Sequence, residues 1–385
     1  MLSPIYLDDF IKKHNITSSA SSSSSNPVSV PKTQIAYGYV EGEPTIQKFT
    51  NYPVPTPKSN EVLLKIEAAG LCMSDPHVLI KGPIVSLNEP PAKKFVMGHE
   101  IAGSIASVGD GLKDDPRYQI GSRYALSISV ACGTCDTCRT GRDSVCYGNT
   151  SAYGLNRDGG FQQYLLIDNL RSLLPIPEGV SYADAAVASD SVLTPYHAIQ
   201  KIRHLLQPTA KVLVVCLGGL GMNGVQVLKN YGCKIVASDV KAELGPIALA
   251  SGAHEFYTDV FESDHAQESF DVVMDFVGIQ PTSDVCQRFV KLQGKYLTVG
   301  LGRSKLFLQN YELARREIDV IFSFGGNSQE QIDCMKWVAA GKIKPLTTIA
   351  KLSEVPYYLD QLVQGKVQGR IVFEPNSEEN IKAKL

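Results

Sequence analysis

The chain carries almost no net charge, because its 37 basic side chains are set against 39 acidic ones. No basic stripe runs along any part of the sequence. Proteins that bind nucleic acid or an anionic membrane surface usually cluster their Lys and Arg residues in such a stripe. We therefore expect neither nucleic acid nor a membrane as a partner.

Long apolar runs are also missing, and none reaches the roughly 18 residues that a membrane-spanning helix needs. The first fifteen residues, MLSPIYLDDFIKKHN, contain Asp8 and Asp9, no Arg, and no apolar core of signal-peptide length. They resemble a secretory signal poorly and a mitochondrial one only weakly. We expect a cytoplasmic protein and leave mitochondrial targeting by this extension open.

A polar low-complexity tract, ITSSASSSSSNPVSV, follows these residues. Such a composition cannot bury enough apolar surface to order itself. Residues 1–30 are therefore predicted to form a disordered Ser-rich extension that precedes the folded protein.

The chain has nine cysteines, an odd number, and four of them crowd into CGTCDTCRTGRDSVC. This pattern favours metal ligation in a reducing compartment over a disulfide framework. Four thiolates at such short spacing suit a closed tetrahedral zinc site, which leaves no position for a substrate. We predict a structural zinc held by Cys132, Cys135, Cys138 and Cys146.

The two halves of the chain differ in the secondary structure that their sequence patterns predict. From about Thr33 to Pro177, short extended runs such as EVLLKIEAAG alternate with Gly and Pro, which is typical of β structure. After Asp190, apolar strands such as KVLVVC alternate with helical stretches. This second half predicts a doubly wound parallel sheet, so the fold class is a two-domain α/β protein.

A glycine turn joins the first strand of the second half to its helix. Gly218, Gly219 and Gly221 would let the backbone and the helix N-terminus approach a pyrophosphate. Cys216 stands where the usual G-x-G-x-x-G fingerprint has its first glycine, and its side chain could crowd the pyrophosphate. Asp239 ends the next strand. A carboxylate there accepts hydrogen bonds from the ribose hydroxyls and repels a 2′-phosphate, which favours NAD over NADP.

A second group of potential metal ligands lies in GLCMSDPH and in the downstream GHE. Cys72 and His99 can each offer zinc a ligand. A buried thiol or a packed histidine would be the better interpretation of either residue alone. Their occurrence together, upstream of a four-cysteine lobe, favours a second zinc site.

These motifs, together with DGGFQQY, SDSVLTPYHAI and the final GRIVF, resemble the zinc-dependent alcohol dehydrogenases of the medium-chain dehydrogenase/reductase superfamily. Among them, yeast carbonyl reductases and secondary alcohol dehydrogenases are the most similar. The resemblance implies a GroES-like, β-rich catalytic domain over 31–190 and 324–385. It places a Rossmann coenzyme domain, with its doubly wound parallel sheet, at 191–323.

The resemblance also supplies the third ligand of the catalytic zinc. Many relatives carry a cysteine four residues before a coenzyme-domain threonine, and here that position is Asp190, before Thr194. The implied set is Cys72, His99 and Asp190, with the fourth position left for water or substrate. Asp75 is expected to lie behind the ligands and orient one of them, and Glu100 to stand nearby as an alternative ligand.

The remaining roles also follow from the resemblance. Ser74 is expected to receive the substrate's hydroxyl proton, and His77 to pass it to solvent. Thr194 would lie beside the nicotinamide and Arg370 would pair with the pyrophosphate, with 299–302 and 323–326 near the carboxamide. His197 is interpreted as a packed structural residue, and Ile128 as a small aliphatic wall of the substrate pocket.

The sequence therefore predicts an oxidoreductase with two zinc ions per chain that transfers hydride between NAD(H) and a secondary alcohol or ketone. Its partner would be a small alcohol, ketone or aldehyde, and the protein would be a homodimer or homotetramer. One alternative is a polyol dehydrogenase of the same superfamily, which also uses an acidic third ligand. Another is a catalytically inactive zinc-bearing binding protein, although every expected site residue is present.

Overall fold

The structure, a computed structural model, describes residues 30–84, 91–303 and 305–377. The predicted disordered extension therefore lies, apart from its last residue, outside the described residues. Lys32–Leu385 form one compact unit. Within the described part of the chain, no helix combines the length and apolar character needed to cross a bilayer.

The described chain contains strands, helices and short 3₁₀ turns. The strands are β1 (Thr33–Val40), β2 (Gln47–Pro53), β3 (Val62–Gly70), β4 (Lys94–Val96), β5 (Glu100–Val108), β6 (Arg123–Leu126), β7 (Tyr164–Ile167), β8 (Leu173–Pro175), β9 (Lys211–Val215), β10 (Lys234–Ser238), β11 (Glu255–Tyr257), β12 (Phe270–Asp275), β13 (Val290–Thr298), β14 (Asp319–Phe322), β15 (Thr347–Lys351) and β16 (Arg370–Glu374). The helices are α1 (Ser74–Lys81), α2 (Asp136–Arg139), α3 (Tyr182–Val187), α4 (Leu193–Ile202), α5 (Gly219–Lys229), α6 (Gly245–Ser251), α7 (Gln280–Phe289), α8 (Asn310–Arg315), α9 (Ser328–Ala339) and α10 (Val355–Val363).

The second half forms a six-stranded sheet of order β11-β10-β9-β12-β13-β14, and every pair in it is parallel. Its central strand β9, KVLVV, is buried at four of five positions. Helices cover both faces of such a sheet, which explains why the strand is continuously apolar instead of alternating. The strand order reverses next to β9, at the point where open parallel sheets bind their ligands. The predicted doubly wound sheet is confirmed.

The first half is β-rich, also as predicted. Seven strands form one sheet, in which β3 pairs with β5, β7 and β16. Strand β16 comes from the end of the chain, and its antiparallel pairing with β3 returns the C-terminal segment to this half. This return carries Arg370, the first residue of β16, back to the neighbourhood of Cys72. The exact domain boundaries stay a prediction, since both halves belong to one compact unit.

The link between the halves is helical and irregular. A π-helical turn, Ala188–Val192, stands between α3 and α4. Such turns interrupt a helix by one extra residue and often occur at functional sites. This turn carries Asp190, and α4, which follows it, carries Thr194 and His197.

Candidate active site and metal centres

A cleft of about 690 Å³ runs along the junction of the two halves. Its walls include residues predicted as metal ligands, proton carriers and coenzyme contacts, namely Cys72, Ser74, His77, His99, Asp190, Thr194, Gly218, Gly219, Gly221 and Arg370. The fold therefore brings residues separated by 298 positions, Cys72 and Arg370, to one cavity.

The mixed ligand cluster consists of Cys72, His99, Glu100 and Asp190, whose ligand atoms all lie within 4.8 Å of one another. The Cys72 Sγ lies 3.2 Å from Asp190 Oδ2, and the His99 Nε2 lies 3.5 Å from the same oxygen. Glu100, expected nearby as an alternative ligand, lies within the cluster.

The chemistry of this cluster fits a divalent cation. Glu100 is fully buried, and while its Oε1 pairs with Arg370, its Oε2 has no hydrogen-bond partner among the described residues. A thiol, an imidazole and two carboxylates share one small buried space, and stranded carboxylate oxygens in such a space are costly unless a cation neutralises them. Thiolate, imidazole and carboxylate are also the ligand types that zinc accepts.

The ionisable groups of the cluster perturb each other strongly. Burial raises the pKa of Glu100 to about 8, against the opposing charge of Arg370. Burial also disfavours the charged form of Asp190, but contacts with His99 and Arg370 outweigh it and lower the pKa of this carboxyl group. In His99, burial opposes protonation, and the Asp75 carboxylate outweighs it and raises the imidazole pKa. The carboxyl groups of Glu100, Asp190 and Asp75 therefore share only two neighbouring positive groups, the His99 imidazolium and the Arg370 guanidinium.

Asp75 lies behind the cluster and is fully buried. Its Oδ2 accepts a hydrogen bond from the Cys72 backbone N–H at 2.8 Å, while its Oδ1 lies 3.4 Å from His99 Nδ1, outside hydrogen-bond geometry. One carboxylate therefore contacts the segments that carry two ligands. The Asp75 carboxylate faces the Nδ1 side of the imidazole, and the Nε2 of His99 faces Asp190.

Arg370 contacts the cluster instead of solvent. Its Nη2 lies 2.7 Å from Glu100 Oε1 and 3.5 Å from Asp190 Oδ2. The guanidinium also reaches the glycine turn, because a Cβ placed on Gly219 would lie 3.0 Å from Arg370 Nη1. Its predicted role at the pyrophosphate stays a prediction. Sequence reasoning missed the carboxylate contacts, which no local motif signals.

The second cluster comprises the four cysteines of the lobe 132–146, whose sulfurs also lie within 4.8 Å of one another. Backbone N–H groups of Thr134 and Cys135 point at the Cys132 sulfur at 3.5 and 3.4 Å. The Thr134 N–H lowers the pKa of Cys132 to about 7. The Thr137 hydroxyl lowers the pKa of Cys135 to about 5. These two sulfurs are therefore prepared for the thiolate form that binds metal.

The glycine turn has the backbone shape that a nucleotide site needs. Gly221 is so close to the preceding strand that a Cβ there would overlap the Cys216 carbonyl. Asp239 accepts hydrogen bonds from the N–H groups of Leu217 at 2.7 Å and Lys241 at 3.0 Å. The carboxylate is therefore held beside the turn. Cys216 adopts a φ of 72°, a left-handed conformation that usually calls for glycine.

The candidate proton carriers lie on the first helix of the cleft. Ser74 begins α1 and His77 follows three residues later, so both side chains share one face of the helix. The Ser74 Oγ lies 3.7 Å from the Cys72 sulfur. Burial and the nearby Lys81 ammonium lower the pKa of His77, which favours the neutral, proton-accepting imidazole.

Thr194 contacts the metal cluster as well as the cleft. Its hydroxyl donates to Asp190 Oδ1 at 2.7 Å. This bond holds one carboxylate oxygen and leaves Oδ2 facing Cys72 and His99. The expected position beside the nicotinamide stays a prediction.

Apolar side chains line a further part of the cleft, and the sequence signalled only Ile128 among them. Ile84, Val145 and Leu155 also contribute to it, together with the Tyr147 ring. Two of these residues belong to or adjoin the cysteine lobe, so the lobe supplies a stretch of cleft wall.

Comparison with known families decides the assignment. Residues 58–178 match the alcohol dehydrogenase GroES-like domain, and residues 219–340 match the zinc-binding dehydrogenase domain. The chain belongs to the zinc-binding alcohol dehydrogenase family. It is an oxidoreductase with the two-domain fold that the resemblance implied, so both predictions are confirmed.

Individual relatives agree with this assignment. An NAD-dependent alcohol dehydrogenase of Sulfurisphaera tokodaii is 32% identical over 343 residues, covering 85% of this chain and 96% of that protein. The structure of acetophenone reductase from Geotrichum candidum in complex with NAD is 35% identical, covers 91% of this chain and 99% of that one, and superimposes with a TM-score of 0.83. An alcohol dehydrogenase structure from Aeropyrum pernix is 28% identical, with a TM-score of 0.79 over 89% of this chain and 100% of that one.

Proposed function

We propose that this protein is an NAD(H)-dependent zinc alcohol dehydrogenase that works as a carbonyl reductase on ketones and secondary alcohols. One observation carries the proposal, namely that a single cleft is lined both by three members of the mixed metal-ligand cluster, Cys72, His99 and Asp190, and by the glycines of the turn. Asp239 is held beside that turn by its hydrogen bond from the Leu217 N–H. The names of the relatives, NAD-dependent alcohol dehydrogenase and acetophenone reductase, support the coenzyme and the substrate class.

Cys72, His99 and Asp190 would hold the catalytic zinc, with Glu100 as an alternative ligand, and the four lobe cysteines would hold the structural one. A zinc ion in the mixed cluster supplies positive charge that favours negative charge on the substrate oxygen, and NAD(H) supplies or accepts the hydride. Asp75 keeps His99 oriented, and Thr194 keeps one oxygen of Asp190 occupied.

The chain's own groups move the proton. Ser74 holds the hydroxyl proton of the alcohol at the inner end of α1. His77, one turn further along the helix and half-exposed, takes it toward solvent. The lowered pKa of His77 keeps this imidazole ready to accept a proton near neutral pH.

A polyol dehydrogenase also fits the acidic third ligand. The cleft has an aliphatic stretch, Ile84, Ile128 and Leu155, which suits the apolar substituent of a ketone. It also has polar side chains such as Ser127, Ser129 and Asn149, which suit polyol hydroxyls, so the substrate test below decides between the two. A catalytically inactive binding protein does not agree with the complete cluster, the proton carriers and the shaped glycine turn.

The test combines zinc analysis with the oxidation of NADH and NADPH in the presence of acetophenone, a 2-ketone, an aliphatic aldehyde and fructose. Two zinc ions per chain and NADH-driven reduction of acetophenone are expected. If the protein reduces fructose but does not reduce acetophenone, it would instead be assigned as a polyol dehydrogenase. One zinc ion and no turnover would overturn the enzymatic proposal.

We also propose a cytoplasmic homodimer or homotetramer. Strand β14 is the last strand of its sheet, and Phe322 on it is 69% exposed, close in sequence to Phe324 at 53%. An open strand edge with exposed aromatic rings favours pairing with a second copy. Light scattering during gel filtration would test this, and a monomer with Phe322 intact would contradict it.

A further inference from the structure

The segment 323–326, here called the wall segment, connects β14 to α9 and lines the cleft. The Ser323 N–H donates to the Thr298 carbonyl at 3.1 Å, which fixes its first residue. Its last residue packs tightly against α4, because a Cβ on Gly326 would come within 2.5 Å of Leu193 and 3.2 Å of His197. Small movements of α9 or α4 would therefore move this wall.

The N-terminus of α9 is held from the cysteine lobe. Asp143, three residues before Cys146, accepts hydrogen bonds from the Ser328 N–H at 3.2 Å and from the Ser328 hydroxyl at 2.5 Å. The first N–H groups of a helix have no partner within the helix, and the helix dipole favours an anion at this end. A carboxylate 185 positions away supplies both the acceptor and the charge.

The same helix end is held from α4 as well. Glu330 and Asn327 form a reciprocal cap, with Glu330 N–H to Asn327 Oδ1 at 2.8 Å and Asn327 N–H to Glu330 Oε2 at 3.0 Å. That Oε2 also lies 2.7 Å from His197 Nδ1. His197 stands one turn beyond Thr194, whose hydroxyl holds Asp190. The histidine expected to be merely packed therefore pairs with a carboxylate across two helices.

We propose that Asp143 and the Glu330–His197 pair are positioning residues that clamp the start of α9 from two sides and so fix the wall segment. Through Asp143, the cysteine lobe then contributes to coenzyme affinity as well as to stability. This proposal rests on the proposed function, since it takes NADH as the molecule that the wall segment faces.

The protein contains an intrinsic fluorescent probe for the packing of α9, the helix that the clamp holds. Trp337 is the sole tryptophan in the sequence and lies on α9. Its ring packs edge-on against Tyr196 of α4, with ring centroids 5.3 Å apart. A change in the packing of α9 on α4 therefore alters Trp337 emission, and the dissociation constant for NADH is measured independently by titration calorimetry.

The experiment compares Asp143→Ala with Asp136→Ala in the full zinc-loaded protein. Asp136 is an exposed acidic residue of the same lobe, so the control removes the same charge without touching α9. We expect Asp143→Ala to weaken NADH binding about three- to tenfold, in the range typical of mutations that modulate coupling. The KM for NADH should rise equally while kcat stays within about twofold.

This split separates positioning from general destabilisation, because a smaller folded fraction would lower kcat and leave KM unchanged. Asp143→Asn keeps one acceptor oxygen for Ser328 and should restore part of the affinity. His197→Gln should weaken NADH binding in the same direction and shift Trp337 emission, with the exposed His204→Gln as its control.

Two results would overturn the proposal. One is NADH affinity in Asp143→Ala equal to that of the unaltered protein, and the other is an equal loss in Asp136→Ala. In either case NADH binding and ketone reduction by the unaltered protein would still support the proposed function. Failure of the unaltered protein to bind NADH would overturn both.

Discussion

The two metal-ligand clusters differ in how they are assembled. The lobe takes four identical ligands from 132–146, and its sulfurs accept N–H groups of neighbouring residues. The mixed cluster takes a thiol, an imidazole and two carboxylates from 72 to 190, and Arg370 approaches it from the end of the chain. The lobe draws its ligands from one short segment and is partly exposed. The mixed cluster draws its ligands from residues far apart in the sequence and is almost fully buried.

This difference in assembly corresponds to a difference in function. Identical thiolates saturate a metal and leave it inert, which suits a structural lobe. A mixed set next to a cleft leaves room for a substrate, and its buried thiol, imidazole and carboxylates are ligand types that zinc accepts. The comparison predicts that damage to the mixed cluster removes activity, while damage to the lobe removes stability.

The largest expected effect is that of His99→Ala on turnover. Loss of one ligand should lower kcat/KM for ketone reduction by about a thousandfold, because charge stabilisation of several kcal/mol is lost. Zinc content should fall by one ion per chain, and turnover is expressed per folded molecule because the buried carboxylates lose the cation that neutralises them. Exposed His204→Ala is the control, and substantial activity in a one-zinc His99→Ala protein would contradict the assignment.

Cys138→Ser provides the opposite half of the comparison. We expect the free energy of unfolding to fall by about 3–5 kcal/mol, as is typical when a structural metal is lost. Denaturant unfolding measures this, and kcat per folded molecule should stay within about tenfold of the unaltered enzyme. A stable Cys138→Ser protein without activity would reverse the roles of the two clusters.

Ser74→Ala tests whether the mixed cluster works together with a proton carrier. We expect kcat for alcohol oxidation to fall by about a hundredfold, with zinc content unchanged, since general acid–base groups contribute on this scale. Ser74→Thr, which keeps a hydroxyl, should recover part of the rate. Equal rates for Ser74→Ala and the unaltered enzyme would remove Ser74 from the mechanism.

Cys216→Gly should have a smaller effect and act on the coenzyme turn. Glycine adopts a φ of 72° without the cost that a side chain incurs there, and it removes a side chain from the cleft. We expect NADH to bind about threefold more tightly, as measured by titration calorimetry. Unchanged affinity would show that the thiol does not crowd the pyrophosphate.

Lys81→Met should produce the smallest change, confined to the pH profile. The Lys81 charge is the second cause, after burial, of the lowered His77 pKa. Removing it should raise that pKa and move the acid limb of alcohol oxidation to higher pH. The profile of exposed Lys93→Met is the control, and an unmoved limb in Lys81→Met would exclude His77 as the titrating group.

Much of the fold could be predicted, because each half of the sequence has its own pattern of apolar residues. The continuous apolar run in β9 indicates a sheet that is covered on both faces, and the frequent Gly and Pro residues before Pro177 indicate short strands. The π-helical turn that carries Asp190 was not predictable, because the insertion of one residue leaves no trace in a run such as AAVASDSVLT.

The sites divide in the same way. The four-cysteine lobe could be recognised from spacing, because short loops restrict where the sulfurs can go. The contact of Arg370 with the mixed cluster and the clamp formed by Asp143 and His197 on α9 depend on pairings across up to 298 positions. Only the packing of β16 on β3 and of α9 between the lobe and α4 brings those atoms together, and a linear pattern carries no record of such distances.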